Sequence, residues 1–106
     1  MAPSMIGNYE YLVLSAAVRL GSDAYGASVM KEIADATGSP CSVGALYTTL
    51  DRLEAKGLIT TSMGDPTPVR GGRPKRLIRV TPKGRREGAA FYQIVIRASN
   101  GTLWAT

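Results

Sequence analysis

The chain has 106 residues, of which 44% are hydrophobic and 20% charged, and its formal net charge is +5. These values predict one globular domain with a modest core and exclude a disordered chain. The sequence contains no histidine and one cysteine, which excludes an internal disulfide and removes the commonest catalytic base and metal ligand. We therefore expect a protein that is not an enzyme and that needs no cofactor and no metal.

The sequence also lacks the features of a secreted or membrane-spanning protein. Its N-terminus has no basic region followed by a long apolar stretch, as a signal peptide would have. No segment approaches the roughly 20 apolar residues that span a bilayer. We expect a soluble, cytoplasmic protein that does not bind a membrane.

Apolar residues at helical spacing predict two helices in the first part of the chain. The first covers residues 9–20, with Asn8 as its N-cap and Gly21 as its stop. A turn follows, and the second helix begins at residues 24–26 and ends at residues 37–38. A Gly-Ser-Pro sequence then breaks the chain sharply.

The third predicted helix has the clearest signals. Ser42 is a suitable N-cap, and Gly57 marks the end. We expect the buried stripe to comprise Val43, Leu46, Leu50 and Leu53. We expect the opposite, outer face to present Ala45, Thr48, Thr49 and Arg52. Because most of these outer side chains are short, the helix backbone can approach another molecule closely.

Two strand-like segments follow, at residues 58–63 and 76–81, with a Gly/Pro-rich loop between them. Thr81 and Pro82 then start a last helix that ends near residues 97–99. Periodicity alone would also allow a strand at residues 91–96, but the start signal favours a helix. The second half of this helix is apolar on nearly every side, which suits burial on more than one face. Such residues could line an effector pocket, but more often they form a subunit interface or core. The candidate residues are Phe91, Tyr92, Ile94, Val95, Ile96 and Trp104.

Positive charge is concentrated near the end of the chain. Residues 1–69 hold four basic and seven acidic side chains, whereas residues 70–106 hold nine basic and one acidic. Such clustering favours a polyanionic partner. The loop and second strand supply Arg70, Arg73, Lys75 and Arg76 for direct contact. Lys83, Arg85 and Arg86 open the last helix, where they oppose the helix dipole, and we expect them to attract DNA over a longer range.

The predicted fold is therefore mainly α with a small β-hairpin, in the arrangement of a winged helix-turn-helix. In such a fold the third helix enters the major groove of double-stranded DNA and the basic hairpin contacts the flanking backbone. Residues 1–81 would form the DNA-binding part and residues 82–106 a C-terminal dimerisation helix and tail, in one compact unit. A module that binds a protein or RNA remains the alternative, and a membrane-surface protein is a weaker one.

The segments DAYGASVMKEI, GALYTTLDRLEAKGLI, GGRPKRLIRVT and TPKG resemble the PadR-like winged-helix transcriptional regulators over roughly residues 9–97. Two positions depart from that family's usual pattern: Thr48 stands where a proline is common, and Ile78 where an aromatic residue is common. The resemblance implies a dimeric repressor of a roughly palindromic operator. It also implies dimerisation through the last helix, often with the first, and release by a small aromatic or drug-like effector. Carried over residue by residue, it assigns DNA binding to Ser42, Ala45, Tyr47, Thr48, Thr49, Arg52, Arg70, Arg73, Lys75 and Arg76.

Overall fold

The computed structural model describes residues 5–66 and 74–104. Three helices are followed by a hairpin and a final helix, which confirms the predicted order and class of fold. The elements are α1 (Asn8–Leu20), α2 (Gly26–Thr37), α3 (Val43–Ala55), β1 (Ile59–Pro66), β2 (Pro74–Val80) and α4 (Pro82–Ala98). A short 3-10 turn, Gly21–Asp23, joins α1 to α2. Residues 91–96 are helical, as the start signal indicated.

The core lies where α1, α2 and α3 meet the base of the hairpin. Its members are aliphatic side chains with little or no exposure to solvent. They are Ile6, Val13, Leu14, Ala16, Ala17, Ala24, Val29, Ile33, Leu46, Leu50, Leu53, Leu58, Ile59 and Ile78. Because α3 contributes three fully buried leucines, its inner face is held firmly and its outer face is presented at a defined angle.

The N-terminus of α1 is capped differently from the prediction. Gly7 rather than Asn8 is the N-cap, and the Gly7 N–H donates to the Glu10 carboxylate at 2.8 Å. The same buried carboxylate accepts from Lys56 Nζ at 2.7 Å. Burial would raise the pKa of Glu10, but the bonds from Gly7 and Lys56 and the charges of Lys56 and Arg52 outweigh burial and lower it. Glu10 thus joins the start of α1 to the end of α3.

The turn between α2 and α3 forms as its sequence indicated. Gly38 ends α2 with φ 74°, a left-handed conformation that favours glycine. Ser42 begins α3, and its Oγ accepts a hydrogen bond from the Ala45 N–H at 3.2 Å. The two helices are therefore joined by a short segment with defined ends, as in a helix-turn-helix.

The hairpin is a two-stranded antiparallel sheet with register from Ile59 opposite Val80 to Met63 opposite Arg76. Its second strand is also fastened to the helical body, because the Ile78 N–H donates to the Ala24 carbonyl at 2.9 Å. The hairpin formed by β1 and β2 is called the wing below, and its base is thus part of the core.

The first turn of α4 packs tightly against the junction of α3 and β1. Thr81 Oγ1 accepts from the Gly84 N–H at 3.0 Å and donates to the Gly57 carbonyl at 2.7 Å. The Thr81 N–H donates to the Leu58 carbonyl at 3.0 Å. Gly84 is buried, and a Cβ at this position would overlap the Leu58 carbonyl oxygen and lie 2.8 Å from Val80 Cγ1. The absence of a side chain at Gly84 therefore permits this close approach.

No helix within residues 5–66 and 74–104 is long and apolar enough to cross a membrane. The same residues contain no group of His, Cys, Asp or Glu side chains arranged to hold a metal ion.

Candidate nucleic-acid interface

The outer face of α3 exposes most of the side chains that were predicted to lie there. Ala45, Thr48 and Arg52 are exposed at helical spacing along one side of the helix. Ser42 is also exposed, but its hydroxyl oxygen is engaged in capping Ala45. This face is nearly neutral at its N-terminal end and carries the cation Arg52 further along. Such a surface can lie close to another molecule without strong charge repulsion.

Two predicted orientations on α3 were wrong. Thr49 was expected on the outer face, yet it is only 6% exposed and its hydroxyl donates to the Ala45 carbonyl at 2.8 Å. Its position three residues after Leu46 places it in the buried stripe, where an internal hydrogen bond satisfies the hydroxyl. Val43 was expected in the core, yet it is 56% exposed, because the first turn of α3 extends beyond the packed body.

Tyr47 lies between the two faces of α3 and is 37% exposed. Its hydroxyl is 2.7 Å from the place where a Cβ would stand at Gly26. A side chain at the first residue of α2 would therefore require the Tyr47 ring to shift. The tip of the Tyr47 side chain thus lies against the start of α2.

Arg76 was expected to be a DNA-contacting cation of the wing, but the structure places it against α3. Its Nη2 lies 3.2 Å from Asp51 Oδ1 and 3.5 Å from Glu54 Oε1. Its guanidinium carbon lies 5.5 Å from the centre of the Tyr47 ring. The signal for this placement was present in the sequence, because Arg76 is two residues before the buried Ile78 and therefore on the same face of β2.

The neighbouring cation, Lys75, lies on the other face of β2 and is exposed. Its Nζ is 4.3 Å from the centre of the Tyr25 ring, a cation–π contact that leaves the ammonium accessible. Arg70 and Arg73 lie outside the described residues. The described part of the wing thus supplies two exposed cations on this face, Lys75 and Arg79.

Lys83 has a local role that the sequence did not indicate. Its Nζ donates to the Lys56 carbonyl at 3.0 Å, at the C-terminal end of α3. A cation at that position is favourable for the α3 dipole, even though it opposes the dipole of its own helix. Arg85 and Arg86 are exposed and remain available for long-range attraction of a polyanion.

Residues 13–90 match the family described as the Transcriptional regulator PadR-like family. The chain belongs to the PadR-like family of transcriptional regulators. It is accordingly a DNA-binding regulator of transcription and not an enzyme. A comparison with curated protein sequences gave no match.

Solved structures of other proteins have the same fold, and two of those described next are PadR family regulators. A PadR family regulator from Clostridium difficile R20291 superposes with a TM-score of 0.69 at 24% identity, over 92% of this chain and 100% of that one. A PadR family regulator from Eggerthella lenta DSM 2243 superposes with a TM-score of 0.62 at 26% identity, over 92% of this chain and 86% of that one. Bordetella bronchiseptica BpsR, whose DNA binding is regulated by 6-hydroxynicotinic acid, superposes with a TM-score of 0.66 at 24% identity, over 98% of this chain and 72% of that one.

In this PadR-like regulator, the residues predicted for an interface or pocket divide into two groups. Phe91 packs inward, with its ring 5.1 Å from that of Tyr11 on α1, and Ile94 is half-buried. The others are exposed, by fractions between 44% and 78%. This second group comprises Tyr92, Val95, Ile96 and Trp104.

A groove of about 400 Å³ lies between α1 and the first half of α4. The rings of Tyr11 and Tyr92, the Val18 side chain and the Gly88 backbone contribute to its lining, with Arg85 among its polar groups. The predicted pocket residues therefore meet this groove only at Tyr92. Tyr11, Val18 and Gly88 were missed because their participation depends on how α1 crosses α4, which neither helix encodes alone.

Proposed function

We propose that this protein is a homodimeric transcriptional repressor that places α3 in the major groove and the wing on the flanking DNA backbone. The exposed, nearly neutral outer face of α3 beside a basic hairpin is the observation that supports this proposal most directly. Short side chains at Ala45 and Thr48 allow close approach to base edges, and Arg52 can reach a base or a phosphate. Lys75 and Arg79, with Arg70 and Arg73, would supply contacts to phosphates.

Homodimerisation through α4 is supported by the apolar side chains that this helix exposes. Tyr92, Val95 and Ile96 are 51%, 44% and 46% exposed and share one face, because their spacing is i, i+3 and i+4. A second copy covering this face would remove that apolar area from water. In this arrangement residues 1–81 bind DNA and residues 82–106 dimerise within one compact unit. A two-fold dimer would require a roughly palindromic operator with half-sites one or two helical turns apart.

The groove between α1 and α4 supports regulation by a small aromatic or drug-like effector. Its volume is within the range of sites for small organic molecules. Tyr11 and Tyr92 present rings to it, and Arg85 lies at its edge. Since α4 belongs to both this groove and the proposed dimer interface, an effector bound there would alter dimer geometry and release DNA. Because its ligand is chromosomal DNA, we place the protein in the cytoplasm.

Fluorescence anisotropy with a labelled mixed-sequence DNA duplex over a series of salt concentrations tests the DNA contacts. Removing one phosphate contact should lower the salt slope by about 0.9. We therefore expect Arg73→Ala and Lys75→Ala to weaken binding and to make the slope shallower. Lys31→Ala is the matched control, because this exposed lysine of α2 pairs with Asp35 and its replacement removes the same charge away from the proposed interface. An unchanged slope in both wing variants would refute the wing assignment.

Sedimentation equilibrium tests the oligomeric state. The wild-type chain should sediment as a dimer, and Val95→Asp with Ile96→Asp should shift it towards monomer because carboxylates would be buried in the interface. The helix fold of the variant is checked by circular dichroism. A wild-type monomer at micromolar concentration would contradict the homodimer.

A further inference from the structure

The side of α3 that faces the hairpin carries three residues in one stripe, and all three contact Arg76. Tyr47, Asp51 and Glu54 are spaced i, i+4 and i+7, which places them on one line along the helix. The Arg76 side chain is only 22% exposed, whereas that of Asp51 is 72% exposed. Arg76 is thus enclosed on the helix side and its guanidinium is already paired with two carboxylates.

Glu54 connects α3 to both strands of the hairpin. Its Oε1 lies 3.5 Å from Arg76 on β2, and its Oε2 accepts from Thr61 on β1, from the N–H at 3.2 Å and from Oγ1 at 2.8 Å. The hairpin base is fixed separately by the buried Ile59 and Ile78. Thr61 lies opposite the buried Ile78, and Arg76 lies two residues before Ile78 along β2, opposite Met63, so the Arg76 contacts lie roughly 7 Å beyond the base.

The base is joined to the residues before α2, through the Ile78 N–H and a bridge between Tyr25 and Leu77. The contacts of Arg76 and Glu54 add direct attachments between the hairpin and α3, which those bonds do not supply. We propose that Arg76 is a positioning residue, which together with Asp51 and Glu54 fixes the angle between the wing and α3 and does not itself contact phosphate. This inference rests on the proposed placement of α3 and the wing on DNA. The contacts of Arg76, Asp51, Glu54 and Thr61 are called the wing brace below.

Removing the acidic half of the wing brace separates positioning from direct contact. Asp51→Ala with Glu54→Ala deletes two negative charges, leaves Arg76 in place and retains a strong helix former at both positions. Electrostatics alone predicts tighter DNA binding, because Arg76 is freed and repulsion falls. Loss of positioning predicts binding weaker by roughly three- to tenfold, since two exposed ion pairs and their hydrogen bonds are removed.

The matched control is Glu32→Ala with Asp35→Ala on α2, which changes the net charge equally but leaves the wing brace intact. Binding is measured by anisotropy with the mixed-sequence duplex at fixed salt. We expect the control to bind slightly tighter than wild type and the brace variant to bind more weakly. Tighter binding by both variants would overturn the inference.

The basic half of the wing brace gives a second, independent measurement. Arg76→Gln should weaken binding but keep the wild-type salt slope, because Arg76 makes no phosphate contact in this arrangement. A slope shallower by about 0.9, like that expected of Lys75→Ala, would assign Arg76 to phosphate and overturn the inference. Thermal melts verify that each variant is folded at the assay temperature.

Exchanging the charges of Arg76 and Asp51 tests whether DNA affinity can be restored by re-forming the ion pair. On a Glu54→Gln background, Arg76→Glu should weaken binding strongly, and adding Asp51→Lys should restore most of the affinity because the pair is re-formed with reversed polarity. No recovery would favour a phosphate contact and contradict positioning. A wild-type chain that binds no duplex at low salt would refute the proposed function itself, a result distinct from any of these variant patterns.

Discussion

Replacing Gly84 with alanine should destabilise the protein although alanine is the better helix former. Gly84 stands in the first turn of α4 and is buried. An added Cβ would overlap the Leu58 carbonyl oxygen and approach Val80 Cγ1 to 2.8 Å. The first obstacle is the Leu58 backbone between α3 and β1, which cannot move aside as a flexible side chain could. The first turn of α4 must therefore shift away from this junction.

The expected size follows from three contributions. Alanine in place of glycine inside a helix gains up to about 1 kcal/mol. Forcing a methyl group into a packed site costs about 1–3 kcal/mol. The shift also weakens the Thr81 cap, which is worth about 1 kcal/mol and includes the 3.0 Å bond from the Gly84 N–H. The net loss is about 1–3 kcal/mol, which lowers the Tm of a domain of this size by roughly 5–20 °C.

Gly88, one turn later in the same helix, is the matched control. A Cβ there would have no neighbour within 4 Å, so Gly88→Ala should retain the helix-propensity gain and raise the Tm by roughly 4–8 °C at most. Thermal and urea unfolding at one fixed protein concentration would measure both variants, since association makes Tm depend on concentration. Equal Tm values for Gly84→Ala and wild type would refute the close contact between α4 and Leu58.

Three further predictions concern α1, α2 and α3. Gly26→Ala should cost no more than about 1 kcal/mol, because its methyl group meets the hydroxyl end of the Tyr47 side chain, which is partly exposed and can shift. Tyr47→Phe should relieve most of that cost; a double variant no more stable than Gly26→Ala would exclude this contact. The lowered pKa of Glu10 means that its stabilising effect is complete above the usual glutamate pKa of roughly 4.3 and is lost as the pH falls through the lower folded value. In urea unfolding, the free energy of unfolding of wild type should therefore be larger than that of Glu10→Gln at neutral pH, and the two values should converge in acid. A difference that stays constant with pH would disprove the coupling to Lys56. At an operator obtained by selection, Thr48→Ser should bind up to roughly fourfold more weakly because one methyl group is removed from the interface. Thr48→Val retains that methyl group and should bind more tightly than Thr48→Ser. The opposite order of affinities would mean that the Thr48 hydroxyl makes the DNA contact.

The helix boundaries were predictable because helix caps are local. Ser42 and Thr81 both accept hydrogen bonds from the N–H groups three residues later, as their positions in the sequence indicated. The start of α1 was displaced by one residue because Glu10, which also pairs with the distant Lys56, caps the Gly7 N–H. The capping contact between Gly7 and Glu10 is local, three residues apart, and was overlooked, whereas the pairing of Glu10 with Lys56 depends on how α1 meets α3.

The candidate interface was predicted less completely. Polarity suggested that Thr49 faces outward, but its spacing from Leu46 places it inward, and an internal hydrogen bond makes burial possible. Arg76 was grouped with the wing cations on charge alone. Because it is two residues from the buried Ile78, it lies on the same face of β2 and points towards the acidic residues of α3. In both cases the geometric period of the element decided the orientation, and the chemical type of the side chain did not. The α1–α4 groove depends on the crossing of two helices and could not be derived from either.

The bonds at the start of α4 have a mechanical consequence. Thr81 and Lys83 bond this helix to residues 56–58, which directly follow α3, so a rotation of α4 would be passed to α3. The 17 residues of α4 extend roughly 25 Å, and a tilt of about 5° at one end displaces the other by about 2 Å. In the proposed dimer, a small change in how two α4 helices cross would therefore alter the separation of the two α3 helices. Operator spacing would then be sensitive to events remote from DNA.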